Sequence, residues 1–232
     1  NNQVGLVISA SHNLFEDNGI KFFNKDGQKF SNELEKRIET KLTQEMTAVE
    51  SINLGKASRM SDAQGRYIEF CKSTFTNLDL KGLSVLLDCA NGATYSVAPK
   101  VFSELGATVN TIGSSPDGIN INQNCGSTSP ENLKEEILKG SYDIGIAFDG
   151  DGDRILIVGS DGEILDGDDI LYILSKKIED DSGVVGTLMT NKSLELHFKK
   201  NGIKFERADV GDKYVLQRLI DKSWQLGGEP SG

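Results

Sequence analysis

The sequence predicts an α/β protein built from consecutive mixed units, on three observations. Short apolar runs rich in β-branched or aromatic residues alternate with helix-period stretches along the 232 residues. The clearest stretch is a βαβ pattern: LSVLLD (Leu83 to Asp88), a tight CANGA loop, VAPKVFSEL (Val97 to Leu105) ended by Gly106, then ATVNTI (Ala107 to Ile112). The same alternation restarts at VVGTLMT (Val184 to Thr190), with a helix to about Lys200 and a strand in IKFERADV (Ile203 to Val210).

Taken in order, VGLVI (Val4 to Ile8) reads as a buried strand. It delivers SASHN (Ser9 to Asn13) at its carboxyl end, where open α/β sheets usually place their chemistry. Asp17, Asn18 and Gly19 signal a turn, and IKFF (Ile20 to Phe23) returns, carrying Lys21 back toward the first strand's end. Asp26 and Gly27 mark a second turn before a helix from about Asn32, with Leu34, Ile38 and Leu42 on one face. A second unit begins near Asp62, which can cap a helix to about Phe75 with Tyr67, Ile68, Cys71 and Phe75 inward.

The long connection PDGININQNCGSTSPE (Pro116 to Glu131) ends with Ser129 as N-cap and Pro130 at the first helical position. Its helix leads into YDIGIAF (Tyr142 to Phe148), and ILIV (Ile155 to Val158) follows the intervening loop. Asp161 and Gly162 make a hairpin turn, and the aspartates of DGDD (Asp166 to Asp169) cap a helix from about Ile170 to Ile178. GDKYV (Gly211 to Val215) turns into a further helix, and WQLGGEPSG (Trp224 to Gly232) is extended and ends in a loop.

The loop between YDIGIAF and ILIV is Asp149, Gly150, Asp151, Gly152, Asp153, Arg154. Three carboxylates in five residues repel unless a cation holds them, and the glycines let the backbone curl so that alternate side chains share one centre. A calcium hand is excluded: with Asp149 first, the sixth and twelfth positions are Arg154 and Ser160, where that motif needs Gly and Glu, and strands replace its helices. A solvated acidic turn is the remaining alternative.

Ser11 followed by His12 invites a hydrolase reading, but GxSxG is absent, and neighbouring side chains on an extended segment point to opposite sides. His197, the other histidine, falls on the surface of a helix. A serine that exchanges a phosphoryl group needs no histidine base, only cationic neutralisation. Asn91 with Gly92 marks either a ligand loop or a strand-to-helix turn. Glu229 and Ser231 either bind sugar hydroxyls or merely terminate a strand.

A net charge of −10 argues against a general nucleic-acid or anionic-membrane surface. No apolar run approaches membrane-span length. Cys71, Cys89 and Cys125 lack CxxC pairing and fit a reduced, cytoplasmic setting. The opening NNQVGLVIS and the closing GGEPSG read as cut ends of a longer protein.

These stretches together resemble the α-D-phosphohexomutases, and among them the bacterial phosphoglucosamine mutases. SASHNLFEDNGIKFF is similar to the family's phosphoserine loop, DGDGDR to its metal loop and GGEPSG to its sugar-recognition loop, with DCANGA, PDGININQNCGSTSPE and DVGDKYV adding to the likeness. The resemblance implies α/β domains of the phosphohexomutase type, the first and third incomplete: the end of domain 1 over 1–61, domain 2 over 62–165 and a truncated domain 3 over 166–232.

It further implies a phosphorylated Ser11 that, with Asp149, Asp151 and Asp153, holds one Mg²⁺. Lys21 and His12 would lie at the transfer site, Lys21 as acid or base, with Arg154 on phosphate oxygens. Glu229 and Ser231 would grip the sugar, with Gly211 and Asp212 beside them. The implied reaction interconverts glucosamine 6-phosphate and glucosamine 1-phosphate through a sugar 1,6-bisphosphate, in amino-sugar nucleotide synthesis. A homodimer is compatible with it. A phosphomannomutase or phosphoglucomutase, or a binding module without turnover, are the alternatives. Leu14 departs from the proline usual after SHN, and the chain by itself is expected to be inactive.

Overall fold

Residues 4–75, 78–178 and 182–232 are described by the computed structural model, which arranges ten strands into three separate sheets. The first is a hairpin of β1 (Val4–Ser9) and β2 (Gly19–Asn24), antiparallel with Val7 opposite Lys21 and Ser9 opposite Gly19. That register brings Lys21 back beside the end of β1, as the sequence predicts. The expected burial of β1 is corrected: Leu6 and Ile8 are exposed, because β1 pairs with β2 alone and no layer among the described residues covers its apolar face. Helix α1 (Asn32–Leu42) follows, capped by the Ser31 hydroxyl, which accepts from the Leu34 N–H.

The second unit holds a five-stranded sheet in the order β4-β3-β5-β6-β7. Strands β3 (Ser84–Asp88), β4 (Thr108–Ile112) and β5 (Ile144–Phe148) are parallel; β6 (Ile155–Gly159) and β7 (Ile164–Leu165) run back antiparallel. The pleat of β3 sorts its residues onto two faces. Val85 and Leu87 join Cys89, Ala98, Ala107 and Ile146, while Leu86 joins Leu133, Ile137, Ala147 and Val158. Helix α3 (Ala98–Glu104) supplies Ala98 to the first face, and α4 (Glu131–Lys139) supplies Leu133 and Ile137 to the second. Burying each such large aliphatic contributes roughly 1.5–3 kcal/mol.

Helix α2 (Ala63–Ser73) buries Ile68, but Tyr67 is exposed, contrary to expectation. Asp62 makes no side-chain cap and instead pairs with Arg66 at 2.7 Å. The start of α4 is also shifted: Pro130 takes the cap position, and the Ser129 hydroxyl bonds Glu131 at 3.1 Å.

The third sheet is parallel, β10-β8-β9, with β8 (Gly183–Thr187) central between β9 (Lys204–Ala208) and β10 (Leu226–Gly227). Helices α5 (Gly167–Ser175) and α6 (Lys192–Lys200) pack Leu171, Leu194 and Phe198 on Val184; α7 (Asp212–Lys222) packs Val215 on Val185 and Ala208. The expected capping role of the second acidic cluster holds. Asp166 accepts from the Asp168 and Asp169 N–H groups, and the Asp169 carboxylate accepts from the Asp166 N–H. His197 lies on the outer face of α6, edge-on to the Tyr172 ring.

Candidate active site

The parallel strands β3 and β5 end at the same edge of the second sheet, so the CANGA loop and the acidic loop emerge side by side. Asp149 is fully buried at the end of β5. Its Oδ1 accepts from the Gly152 N–H at 3.0 Å and the Arg154 N–H at 3.2 Å, a curl that requires Gly152 at φ +75°. Its Oδ2, and Oδ1 of Asp151, are buried without a hydrogen-bond partner.

One ligand atom from each of Asp149, Asp151 and Asp153 lies within 4.8 Å of the others. Burial, then the charge of Asp153, pushes the Asp149 carboxyl up to about 6. Buried carboxylate oxygens without donors are costly unless a hard cation takes them, so this donor set fits Mg²⁺.

The serine loop reaches this site from the first unit. The Ser9 hydroxyl donates to Asp151 at 3.1 Å and accepts from the Ser11 N–H at 2.8 Å. Ser11 itself sits in the left-handed region at φ 53°, with His12 Nδ1 3.5 Å from its Oγ. The Lys21 ammonium pairs with Asp151 and, at 3.4 Å, with Asp153. Burial alone would raise the Asp151 carboxyl, but the hydrogen bond and charge of Lys21, with the Ser9 bond, outweigh it and hold Asp151 below the usual range. Partial burial would lower Lys21, and Asp151 reverses that in the same way, holding its ammonium above the ordinary value.

The third unit closes against the same region through backbone. The Ile155 N–H donates to the Ser231 carbonyl at 3.1 Å, and the Gly167 N–H to that of Pro230 at 2.9 Å. There is no room beside Gly167 for a Cβ, which would stand 1.8 Å from the Glu229 carbonyl oxygen. Glu229 Oε1 accepts from the Gly211 N–H at 2.9 Å.

Ser11, His12, Lys21, Asp149, Asp151 and Asp153 therefore meet in one site, with Arg154 beside it. The Arg154 guanidinium has no hydrogen bond or ion pair with another described residue. Glu229, Ser231 and Gly211 form a second cluster joined to the first through Ile155. Asp212, next to Gly211, is paired with Lys29 of the first unit at 2.6 and 2.8 Å.

Sequence reasoning missed Ser9, Gly150 and Asn122. An SxS spacing that puts Ser9 and Ser11 close could have flagged Ser9. Nothing distinguishes Asn122 among the three asparagines of NINQN. Asn91 accepts from the Ser115 N–H at 3.0 Å and pins the long connection, and Gly92 packs on Gly150.

Three family models, described as phosphoglucomutase/phosphomannomutase alpha/beta/alpha domains I, II and III, match residues 1–49, 65–162 and 166–232. The chain is 56% identical to the phosphoglucosamine mutase of Legionella pneumophila (strain Corby) over 98% of its own length and 51% of that protein's. It is likewise 56% identical to that of Pseudomonas entomophila (strain L48), over 99% and 53%. It thus spans about half the length of the curated relatives it matches.

Among solved structures, a phosphoglucomutase/phosphomannomutase family protein from Burkholderia thailandensis superposes with TM-score 0.77 at 23% identity, covering 99% of this chain and 50% of that one. The Aspergillus fumigatus N-acetylphosphoglucosamine mutase, in complex with GlcNAc-6P and magnesium, gives TM-score 0.71 at 18% identity, over 99% and 60%. At these identities the two structures speak to the fold.

Proposed function

We propose, from the premise that the chain belongs to the phosphoglucomutase/phosphomannomutase family, that the protein carrying it interconverts glucosamine 6-phosphate and glucosamine 1-phosphate. The observation that carries this reading is the seating of the serine loop on the acidic loop, with Ser9 bonded to Asp151 across 142 residues of sequence. An acidic turn that merely solvated its charge would have no use for a hydroxyl-bearing loop and a lysine brought from another unit.

In the first half-reaction phosphorylated Ser11 gives its phosphoryl group to a sugar hydroxyl: the Oγ–P bond breaks, a sugar O–P bond forms, and the proton the hydroxyl loses is matched by one gained at Ser11 Oγ. In the second half the sugar 1,6-bisphosphate, turned end for end, returns its other phosphoryl group to Ser11. Phosphoryl transfer of this kind relies on positioning and charge neutralisation. Asp149, Asp151 and Asp153, with the phosphate on Ser11, would hold Mg²⁺, which when bound supplies neutralisation of the phosphate charge.

Lys21 is an ammonium while Asp151 holds it, so it serves as proton donor in this geometry. Having given that proton to the departing Ser11 Oγ, its neutral amine takes up the sugar hydroxyl's proton and is an ammonium again. His12 lies within reach of Ser11 Oγ, and the Arg154 guanidinium, unpaired among the described residues, is available for phosphate oxygens. Glu229 keeps Oε2 for a sugar hydroxyl while Gly211 fixes Oε1, so Gly211 orients the carboxylate, and Ser231 offers its hydroxyl beside it. Asp212 orients the loop from outside.

Intact-mass analysis of the full-length protein, with Ser11→Ala as control, should show one phosphate on Ser11 after incubation with sugar bisphosphate. Its absence refutes the mechanism and favours a binding module. Relative kcat/KM on glucosamine, glucose and mannose phosphates should favour glucosamine; a preference for either other sugar reassigns the substrate within the family.

A further inference from the structure

Asn122 stands in the long connection between β4 and α4, far in sequence from the serine loop, and is 94% buried. Its side-chain amide donates both of its hydrogens to that loop, one to the Ser11 carbonyl at 2.8 Å and one to the Asn13 carbonyl at 2.7 Å. These two carbonyls bracket His12, so one amide fixes the backbone on either side of the His12–Asn13 peptide. We propose that Asn122 is the positioning residue for Ser11. It holds the serine loop in register with the acidic loop, and so sets the rate of phosphoryl transfer without touching the substrate. The inference rests on the mutase reading given above.

Four further observations support it. Asn122 is in the left-handed region at φ 56°, a conformation asparagine tolerates, and its N–H donates to the Ala90 carbonyl at 2.8 Å, which aims the side chain outward from the second unit. Ala90 is in turn held by Asp88, fully buried, whose carboxylate accepts from the Ala90 N–H at 3.0 Å and the Gly126 N–H at 2.7 Å. The amide therefore projects from a rigid base.

Ser11 sits at φ 53°, a left-handed conformation that is unfavourable for an L residue and persists only where surrounding contacts over-determine it. Its N–H goes to Ser9 and its carbonyl to Asn122, so both backbone polar groups of the strained residue are held from outside. Finally, Gly150 of the acidic loop lies directly against both partners: a Cβ there would stand 2.4 Å from the Ser11 carbonyl oxygen and 2.6 Å from Asn122 Nδ2. Serine loop, clamp and acidic loop thus form one packed stack.

The test uses the full-length protein. Asn122→Asp keeps the shape of the side chain but replaces the donor by an acceptor facing two carbonyls, and Asn122→Ala removes it. Both should lower kcat about 30- to 100-fold, slow single-turnover transfer from sugar bisphosphate to Ser11 by the same factor, and leave KM for the sugar phosphate and Mg²⁺ affinity within about threefold. Gln123→Ala, an exposed neighbour, should match wild type.

Rates are expressed per folded molecule, the folded fraction being read by near-UV circular dichroism, so that loss of stability is not counted as loss of transfer. A kcat per folded molecule within twofold of wild type in either variant overturns the inference, as does an equal rise in KM. Wild-type protein that takes no phosphate on Ser11 refutes the mutase reading instead.

Discussion

Gly150→Ala in the full-length protein isolates the fit between the serine loop and the acidic loop. The added Cβ would stand 2.4 Å from the Ser11 carbonyl oxygen, 2.6 Å from Asn122 Nδ2 and 2.7 Å from Ile121 Cδ1, where ordinary contact begins at 3.4 Å. Relief requires the serine loop to move off by about 1 Å, because its two nearest neighbours are a backbone atom and a buried, doubly bonded amide. Gly150 is not at positive φ, so alanine brings no backbone strain of its own.

Overpacking of this kind costs about 1–3 kcal/mol of stability, and a misplacement of about 1 Å costs about 100-fold in rate. Gly27→Ala is the converse control: at φ +77° with nothing within 4 Å, it strains the backbone and displaces nothing. Rapid-quench transfer from sugar bisphosphate to Ser11, alongside thermal unfolding, reads both quantities. Gly150→Ala should lose rate and stability, Gly27→Ala stability alone. If Gly150→Ala keeps its transfer rate within twofold while its melting point falls, the loops are not in catalytic register and the argument fails.

Asp149→Asn should abolish Mg²⁺ binding by calorimetry yet raise stability at pH 7 in chelator by up to about 3 kcal/mol. The folded-state carboxyl is raised to about 6, so its ionisation costs stability progressively as pH rises from the unfolded value of 3.8 through about 6, and the amide removes that cost; an unchanged melting point refutes this. Lys29→Asp should raise KM for the sugar phosphate a few-fold through Asp212 and Gly211, and Lys29→Asp with Asp212→Lys should restore it. The pair is partly exposed, so about 0.2–1 kcal/mol is at stake, and a double variant no better than the single one removes Lys29 from the argument. Burial pushes the Cys89 and Cys125 thiols up to about 11, leaving little thiolate at pH 8; iodoacetamide followed by mass mapping should label half-buried Cys71 first, and equal labelling of the three would contradict it. Phe198→Ala, fully buried between β8 and α5, should cost about 3–5 kcal/mol in urea unfolding.

The two α/β sheets were legible because their strands alternate or run apolar over the right lengths and their loops carry turn residues at the joints. β3 and β8 fall within one residue of expectation at their starts. The clustering of the acidic loop and the place of Ser11 were legible because both are local: carboxylates two apart, a serine just past a strand's end. What could not be read was contact between units. Burial of β1 fails because a run of apolar residues states a preference for cover without saying what provides it. The pairing of Asp212 with Lys29 is one such contact, since nothing in DVGDKYV points to a lysine 183 residues away. Asn122 is hidden for the same reason, since an asparagine in a turn-rich loop is most simply a turn residue.

The site's dependence on such contacts follows from its chemistry. On the mechanism proposed above, a serine that both gives and takes a phosphoryl group must meet the carboxylates without belonging to their loop, since any residue within DGDGDR would be fixed relative to the ion rather than to the substrate. Joining it from another unit leaves its position to a few polar links: Ser9 with Asp151, Lys21 with Asp151 and Asp153, and Asn122 with the Ser11 and Asn13 carbonyls. Each is individually modest, about 0.5–1.5 kcal/mol for a neutral hydrogen bond such as those of Asn122 and about 1.5–3 kcal/mol for a bond to a charged group. Two of the three converge on Asp151, and these must yield when that carboxylate turns to a cation. Of these three links the Asn122 clamp is the one independent of the carboxylates, so on the proposal made above it keeps Ser11 in place while the others exchange partners.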